Sequence, residues 1–169
     1  MLEELTLTKA VEYAIQITHH NALFHSEIAR RFEGEKNLRK ICLMCATDEN
    51  IHEINLKRLK DIVPGTTGPN ENRLEKMFFL QVMSHSDFLT DEQQLQAKLQ
   101  SIKTKNDALN LALRIEKDSL SYHVAMKEAL GNYEILSSII RDEKSHLTEL
   151  MECLISGNGK QPQGEPIYQ

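Results

Sequence analysis

Two short motifs in this chain pair a glutamate with a histidine three positions later, Glu49-x-x-His52 and Glu143-x-x-His146. Residues three apart lie on the same face of a helix, so each carboxylate and imidazole can reach one shared metal ion. A single pair is a weak signal, because it occurs by chance on many charged helices. Two copies in equivalent surroundings predict a metal site much more strongly.

Both motifs interrupt stripes of apolar residues that recur at helical spacing. Cys45, Leu56 and Leu59 continue the line of the first pair, and Ile139 and Leu150 continue the line of the second. The polar pairs are therefore predicted to face inward. Burying carboxylates and imidazoles without partners costs several kcal/mol for each group, so they need a cation or one another. The alternative to a metal site is a buried glutamate–histidine network without metal.

A further candidate ligand, Glu116, lies in line with Leu109, Ala112 and Leu120 on another predicted helix. The predicted metal ligands are Glu49, His52, Glu116, Glu143 and His146. Glu49 and Glu143 are expected to bridge two cations, with one imidazole for each, which suits a pair of iron or manganese ions. Because no thiolate is among these ligands, they disfavour a structural zinc site, although a zinc pair is compatible with oxygen and nitrogen donors.

Four long amphipathic helices are predicted to position these candidates. The helices run over 8–32, 37–62, 106–130 and 133–155, with shorter helical pieces at about 71–83 and 91–102. Two antiparallel hairpins joined by a long crossover at about 63–105 are typical of an all-α, ferritin-like four-helix bundle. Residues 1–156 are predicted to form this single domain, and the tail at 157–169, rich in glycine and proline, is predicted to be flexible.

The two predicted hairpins repeat each other in sequence. His25 matches His123, and Asp48, Glu49 and His52 match Asp142, Glu143 and His146. Related hairpins are expected to pack about a pseudo-twofold axis, which brings equivalent side chains to face one another.

Composition limits the classes of function. The chain has 169 residues, 40% of them hydrophobic, and a formal charge of -5, which argues against nucleic-acid or anionic-membrane binding. No apolar run is long enough for a membrane span, and the first residues do not resemble a secretory signal. Three cysteines are too few for a disulfide framework, so a reducing, cytoplasmic location is expected.

Three motifs together resemble the rubrerythrin-type branch of the ferritin-like superfamily, over about residues 8–155. They are the run Ala112-Leu-Arg-Ile-Glu116-Lys-Asp and the two motifs Asp48-Glu49-x-x-His52 and Asp142-Glu143-x-x-His146. The resemblance implies a pair of irons that reacts with oxygen or peroxide. Two alternatives are a non-catalytic protein that stores, buffers or senses iron, and a helical scaffold whose metal site has decayed.

The chain departs from this family at the first helix. Thr18 stands where the family has a glutamate, the repeat partner of Glu116, so one of the two metals is expected to be held weakly. Asn21 or a water fills the gap more easily than His19 or His20, which point in other directions around the helix.

Two histidines, His25 and His123, stand where the family usually has tyrosines. They are either hydrogen-bond donors or a proton relay behind the metal ligands, or simply packed core histidines.

Full rubrerythrins also carry a cysteine-ligated iron module that delivers electrons, which this chain lacks, so turnover would need an external electron donor. Cys42 and Cys45 form a Cys-x-x-Cys motif on the same helical face as Glu49, which suggests a redox or metal-binding role as one interpretation. They are better interpreted as small buried hydrophobic residues, because their repeat partners are Leu136 and Ile139. An apolar run in the crossover is expected to cover the core or to form a homodimer surface. Its members are Met77, Phe78, Phe79, Val82 and Met83.

Overall fold

A computed structural model of the chain describes residues 6–63 and 88–158. The described residues form helices and connecting turns, with no strand among them. The helices are α1 (Leu7–Arg31), α2 (Lys36–Ile62), α3 (Glu92–Ser101), α4 (Lys105–Leu130) and α5 (Glu134–Asn158). The all-α fold class is thus confirmed, and these helix boundaries lie within a few residues of those predicted.

Local side-chain and backbone chemistry fixes where several helices begin and end. The Thr6 hydroxyl accepts a hydrogen bond from the Lys9 amide at the start of α1. Thr104 and Asp107 form a reciprocal capping box at the start of α4, which satisfies two amides that have no partner within the helix. Gly131 ends α4 with a φ of 107°, a left-handed conformation that glycine adopts without steric cost.

Helices α1 and α2 form an antiparallel hairpin, and so do α4 and α5. In the first hairpin Glu12 pairs with Lys60 at 2.8 Å and His19 contacts Glu53 at 3.0 Å, so positions further along α1 meet positions earlier in α2. In the second hairpin Glu116 contacts His146, and the later residue of α4, His123, contacts the earlier Glu143.

The two hairpins pack on each other so that neighbouring helices from different hairpins are also antiparallel. Between α2 and α5, Asp48 contacts His146 and His52 contacts Asp142. Between α1 and α4, Tyr122 donates a hydrogen bond to the Ala10 carbonyl. The four long helices thus surround one interior in the order α1, α2, α5, α4, each antiparallel to its neighbours. Helices α2 and α4 therefore run in the same direction, so α4 begins at the end of the bundle opposite to the end of α2.

The interior is divided into three layers along the bundle. One apolar cluster contains the start of α1, the end of α2, the end of α4 and the start of α5. A second apolar cluster contains the opposite ends of these helices together with α3. Between the two clusters lie the buried polar residues Thr18, Asn21, His25, Glu49, His52, Glu116, Ser119, His123, Glu143 and His146. Hydrophobic burial on both sides thus encloses a single polar layer.

Two details differ from the sequence-based expectations. Leu120 is only partly buried, whereas Ser119 and Tyr122 face the interior, so the buried stripe of α4 is rotated slightly from the predicted one. Helix α5 also continues to Asn158, two residues into the predicted tail. The rest of that tail, the predicted helical piece at 71–83 and the apolar run within it lie outside the described residues.

None of the described helices combines the length and apolar character that crossing a membrane would require.

Candidate metal centre

All the predicted ligands lie in the buried polar layer. Their exposed fractions do not exceed 2%. Glu49, Glu116 and His146 each offer a ligand atom within 4.8 Å of the others, a spacing at which one ion could bind them. The structure therefore brings three of the predicted ligands into one group, while His52 and Glu143 lie in the same layer outside this group.

Both motif histidines are held by an aspartate from the opposite hairpin. His146 Nε2 lies 3.0 Å from Asp48 Oδ2, and His52 Nε2 lies 3.2 Å from Asp142 Oδ2. The other nitrogen of each ring faces a buried glutamate, with His146 Nδ1 3.1 Å from Glu116 Oε2 and His52 Nδ1 3.6 Å from Glu49 Oε2. This reciprocal arrangement presents the Nδ1 atoms of both rings to the interior.

Asp48 and Asp142 are functional candidates that sequence reasoning did not assign. A carboxylate on one nitrogen of a metal-binding histidine fixes its tautomer and leaves the other nitrogen free to bind the ion. Their side chains are 34% and 39% exposed, so they lie where the polar layer meets the surface. The available signal was that each aspartate directly precedes the glutamate of its motif and recurs in the repeat.

Glu49 is the least satisfied carboxylate in this layer. It is fully buried, and neither of its oxygens has a hydrogen-bond partner among the described residues. Burial raises the pKa of Glu49, the nearby His52 ring partly offsets this rise, and the Glu116 carboxylate adds to it, so the pKa stays above its usual value. An unpartnered buried carboxylate is costly, so this side chain is stabilised either by a proton or by a cation.

Glu116 is, by contrast, well partnered. Its Oε1 lies 2.7 Å from His25 Nε2, and its Oε2 contacts His146. Burial alone would raise the pKa of Glu116, but the hydrogen bonds from His146 and His25 outweigh it and lower the pKa to about 2. Glu116 is therefore a carboxylate at neutral pH, whether or not an ion is bound.

Only one of the two carboxylate oxygens of Glu143 has hydrogen-bond partners among the described residues. Its Oε1 accepts a hydrogen bond from the Ser119 hydroxyl at 2.6 Å and lies 2.7 Å from His123 Nδ1, while its Oε2 has no described partner. The free oxygen remains available as a ligand atom.

His25 and His123 both contact a predicted metal ligand, yet not equivalent ones. His25 reaches Glu116, whose repeat partner is Thr18, so His123 has no carboxylate at the matching place. It bonds Glu143 instead. The sequence left open whether these residues are donors or packed histidines, and the structure shows both to be fully buried donors or acceptors at carboxylates.

Around Thr18, the structure separates the candidates for the missing ligand. Thr18 and Asn21 are buried, and within the described part of the chain Thr18 Oγ1 and Asn21 Nδ2 have no hydrogen-bond partner. His19 is half exposed and contacts Glu53, while His20 Nδ1 faces the Gln16 carbonyl at 2.8 Å. Asn21 is thus the only one of the three alternative side chains that lies in the polar layer.

No protein-family model matches this chain, and neither a curated protein nor a solved structure resembles it significantly. The donor set itself therefore defines the class of site. The buried histidines and glutamates of a helical bundle stand within metal-binding distance, and they could hold a metal ion.

Proposed function

We propose that this chain is a ferritin-like four-helix bundle of the rubrerythrin type, holding a dinuclear metal centre that reacts with oxygen or peroxide. Its ligands would be Glu49, His52, Glu116, Glu143 and His146. The observation that carries the proposal is the reciprocal pairing of His52 with Asp142 and of His146 with Asp48. Two imidazoles oriented in this way on both halves of a repeat match the needs of two ions rather than those of a packed core.

The unpartnered polar atoms support the same proposal. Among the described residues, four buried atoms have no hydrogen-bond partner, namely both oxygens of Glu49, Oε2 of Glu143 and Nδ1 of His52. His52 Nδ1 and Glu49 Oε2 face each other at 3.6 Å, beyond hydrogen-bond distance. A glutamate–histidine network without metal would pair these atoms with one another, because each unpaired group is costly. A cation shared between Glu49, His52 and Glu143 would satisfy them together. Oxygen and nitrogen donors of this kind suit iron or manganese.

The two ion positions are expected to be unequal. Glu49, Glu116 and His146 already converge, so they would form the stronger position. The weaker position would use His52 with Glu49 and Glu143, on the side where Thr18 replaces a carboxylate.

The chain's own residues would orient the ligands and hold protons. His25 fixes Glu116, and Ser119 with His123 fixes one oxygen of Glu143, so the carboxylates cannot rotate freely. When bound, a ferrous pair would supply two electrons to oxygen or peroxide. An external electron donor would then have to restore it. Apolar clusters on both sides of the layer limit the access of water.

Metal content of purified protein tests this proposal. We expect iron bound by the wild-type chain to be lost in Glu49→Gln, which keeps the shape of the side chain but removes its charge. Glu128→Gln is the matched control, because Glu128 is exposed on α4. Iron retained by Glu49→Gln, or absent from wild-type protein reconstituted with ferrous iron under anaerobic conditions, would refute a centre bridged by Glu49.

A second candidate function is iron binding for storage or sensing without turnover. It is favoured by the buried Thr18, which leaves one position short of a carboxylate. Repeated additions of peroxide to the ferrous protein, with a chemical reductant between them, distinguish the two functions. An enzyme oxidises its iron rapidly in each cycle and retains it, whereas a store or sensor reacts slowly or releases the iron.

A further inference from the structure

A second group of potential ligands lies next to the first in the polar layer. His25, Cys45 and Glu116 are each fully buried and offer ligand atoms within 4.8 Å of one another. The two groups share only Glu116, and they come from different combinations of helices. His25 lies on α1, Cys45 on α2 and Glu116 on α4, so the second group exists only because three helices converge.

The two oxygens of Glu116 serve the two groups separately. Oε1 faces His25 and Oε2 faces His146. The remaining nitrogen of His25, Nδ1, is buried and has no hydrogen-bond partner in residues 6–63 and 88–158. Cys42 interacts with the His25 ring, although its thiol does not meet the geometry of a hydrogen bond to Nδ1. Cys42 precedes Cys45 by one turn of α2, so two sulfur atoms accompany this imidazole.

We propose that His25, Cys45 and Glu116 form an additional metal site that binds one divalent cation of the zinc class. Sulfur, nitrogen and oxygen donors in one small group suit a borderline-soft ion better than the purely oxygen- and nitrogen-ligated centre does. One thiolate and one carboxylate balance the two positive charges of the ion, which makes its complete burial acceptable. Cys42 lies near the same ring but outside this group.

Binding of the metal ion at this site releases protons from the ligands. Cys45 enters the site as a thiol and binds as a thiolate, so its proton leaves to solvent. His25 must also lose the proton that it shares with Glu116 or carries on its free nitrogen. Glu116 already is a carboxylate and releases none. No electron is transferred, so the step needs no oxidant or reductant.

Cobalt(II) is the probe for this site, because it replaces zinc and shows an intense near-ultraviolet charge-transfer absorption only when a thiolate binds it. We expect the absorption in anaerobic wild-type protein with reduced thiols, and its loss on addition of zinc. Cys45→Ala should abolish it. Cys153→Ala, which removes another buried thiol of the same apolar cluster, should retain it.

The same experiment contains the results that would overturn the site. Absence of the thiolate absorption in wild-type protein, or its persistence in Cys45→Ala, excludes Cys45 as a ligand. X-ray absorption of wild-type protein loaded with one equivalent of zinc is independent of any variant. We expect a sulfur neighbour at about 2.3 Å. A shell made only of oxygen and nitrogen overturns the proposal.

Absorption and iron content together distinguish the absence of the thiolate site from the absence of the dinuclear centre. Cobalt bound with only weak visible absorption means that an oxygen and nitrogen site exists without the thiolate site. Thiolate absorption in a protein whose iron content does not respond to Glu49→Gln means that the thiolate site exists without a dinuclear centre bridged by Glu49.

Discussion

At the scale of single residues, protons and the proposed metal ions would compete for the same buried atoms. Burial lowers the pKa of His146, but hydrogen bonds with Glu116 and Asp48 outweigh it and raise the pKa to about 9. In the same way, burial is outweighed by Cys42 and Glu116 at His25, whose pKa rises to about 10. Both rings are thus protonated at neutral pH when no ion is bound, and the proton on His146 partly satisfies Glu116.

Metal affinity should therefore increase with pH. An ion can bind His146 only after the ring loses its proton, so each binding event at neutral pH releases that proton. Affinity should rise by about tenfold per pH unit for each proton released, and the contribution of His146 should level off above a pH of about 9. Competition with a chromophoric chelator at several pH values measures this slope. An affinity independent of pH would show that His146 is not a ligand.

The aspartates behind the histidines should matter for affinity more than for folding. Asp48→Asn and Asp142→Asn should each weaken metal binding by about 10–100-fold, because the amide cannot stabilise the ring in the same tautomer. Their partly exposed side chains make a large loss of stability unexpected. Calorimetric titration with ferrous or manganous ion measures the change.

Asp61→Asn, an exposed position on α2, is the control and should bind as the wild type does. Unchanged affinity in both Asp48→Asn and Asp142→Asn would mean that the histidines do not need these carboxylates.

At the scale of elements, α4 and α5 define the geometry of the polar layer. Helix α4 supplies Glu116, Ser119 and His123 from successive turns, and α5 supplies Glu143 and His146. Pairing of α2 with α5 through two aspartate–histidine contacts fixes their relative register, because a shift of either helix would break both contacts together.

Removing the cap of α4 should destabilise the bundle without altering the site. Thr104→Ala deletes the hydroxyl that bonds the Asp107 amide, and we expect a loss of about 1 kcal/mol in the free energy of unfolding. Urea denaturation followed by circular dichroism measures it.

The control for this change is Ser121→Ala, since Ser121 lies exposed in the middle of α4 and its hydroxyl bonds only the Lys117 carbonyl. Its effect should stay within about 0.5 kcal/mol. Equal effects of the two variants would mean that the capping box contributes little.

At the scale of the whole molecule, the two hairpins are nearly but not fully equivalent. The reciprocal aspartate–histidine contacts follow the pseudo-twofold relation, whereas His25 and His123 do not, because only one of Thr18 and Glu116 is a carboxylate. His19 beside Glu53 puts Thr18 level with the first motif. The asymmetry of the proposed centre would therefore originate at this one position.

Introducing a carboxylate at this position should strengthen the weaker of the two proposed metal positions. Thr18→Glu should raise iron bound at limiting concentrations toward two per chain, with some loss of stability in metal-free protein because a larger side chain enters a buried place. Thr18→Val, similar in shape to threonine, is the control and should leave the iron content unchanged. Elemental analysis of both variants measures the iron content. An equal content in the two variants would show that position 18 does not face the ions.

The helices and their polar faces followed from the sequence because they depend on local periodicity. Apolar spacing predicted the four long helices, and the repeated motifs predicted that Glu49, His52, Glu116, Glu143 and His146 would share one buried layer. The predicted end of the third long helix at residue 130 agrees with the structure, where Gly131 follows in a backbone conformation that favours glycine. The ligand roles, the identity of the ions and the reaction remain predictions.

Only the tertiary structure decided which side chains from different helices touch. The sequence could not show that Asp48 would hold His146, that His25 would reach Glu116, or that Cys45 would join them, because these partners are distant in the chain. Such contacts depend on the rotation and register with which helices pack, and those are determined by the sum of many side-chain contacts rather than by any short motif. Periodicity predicts which face is buried, and helix packing determines what that face meets.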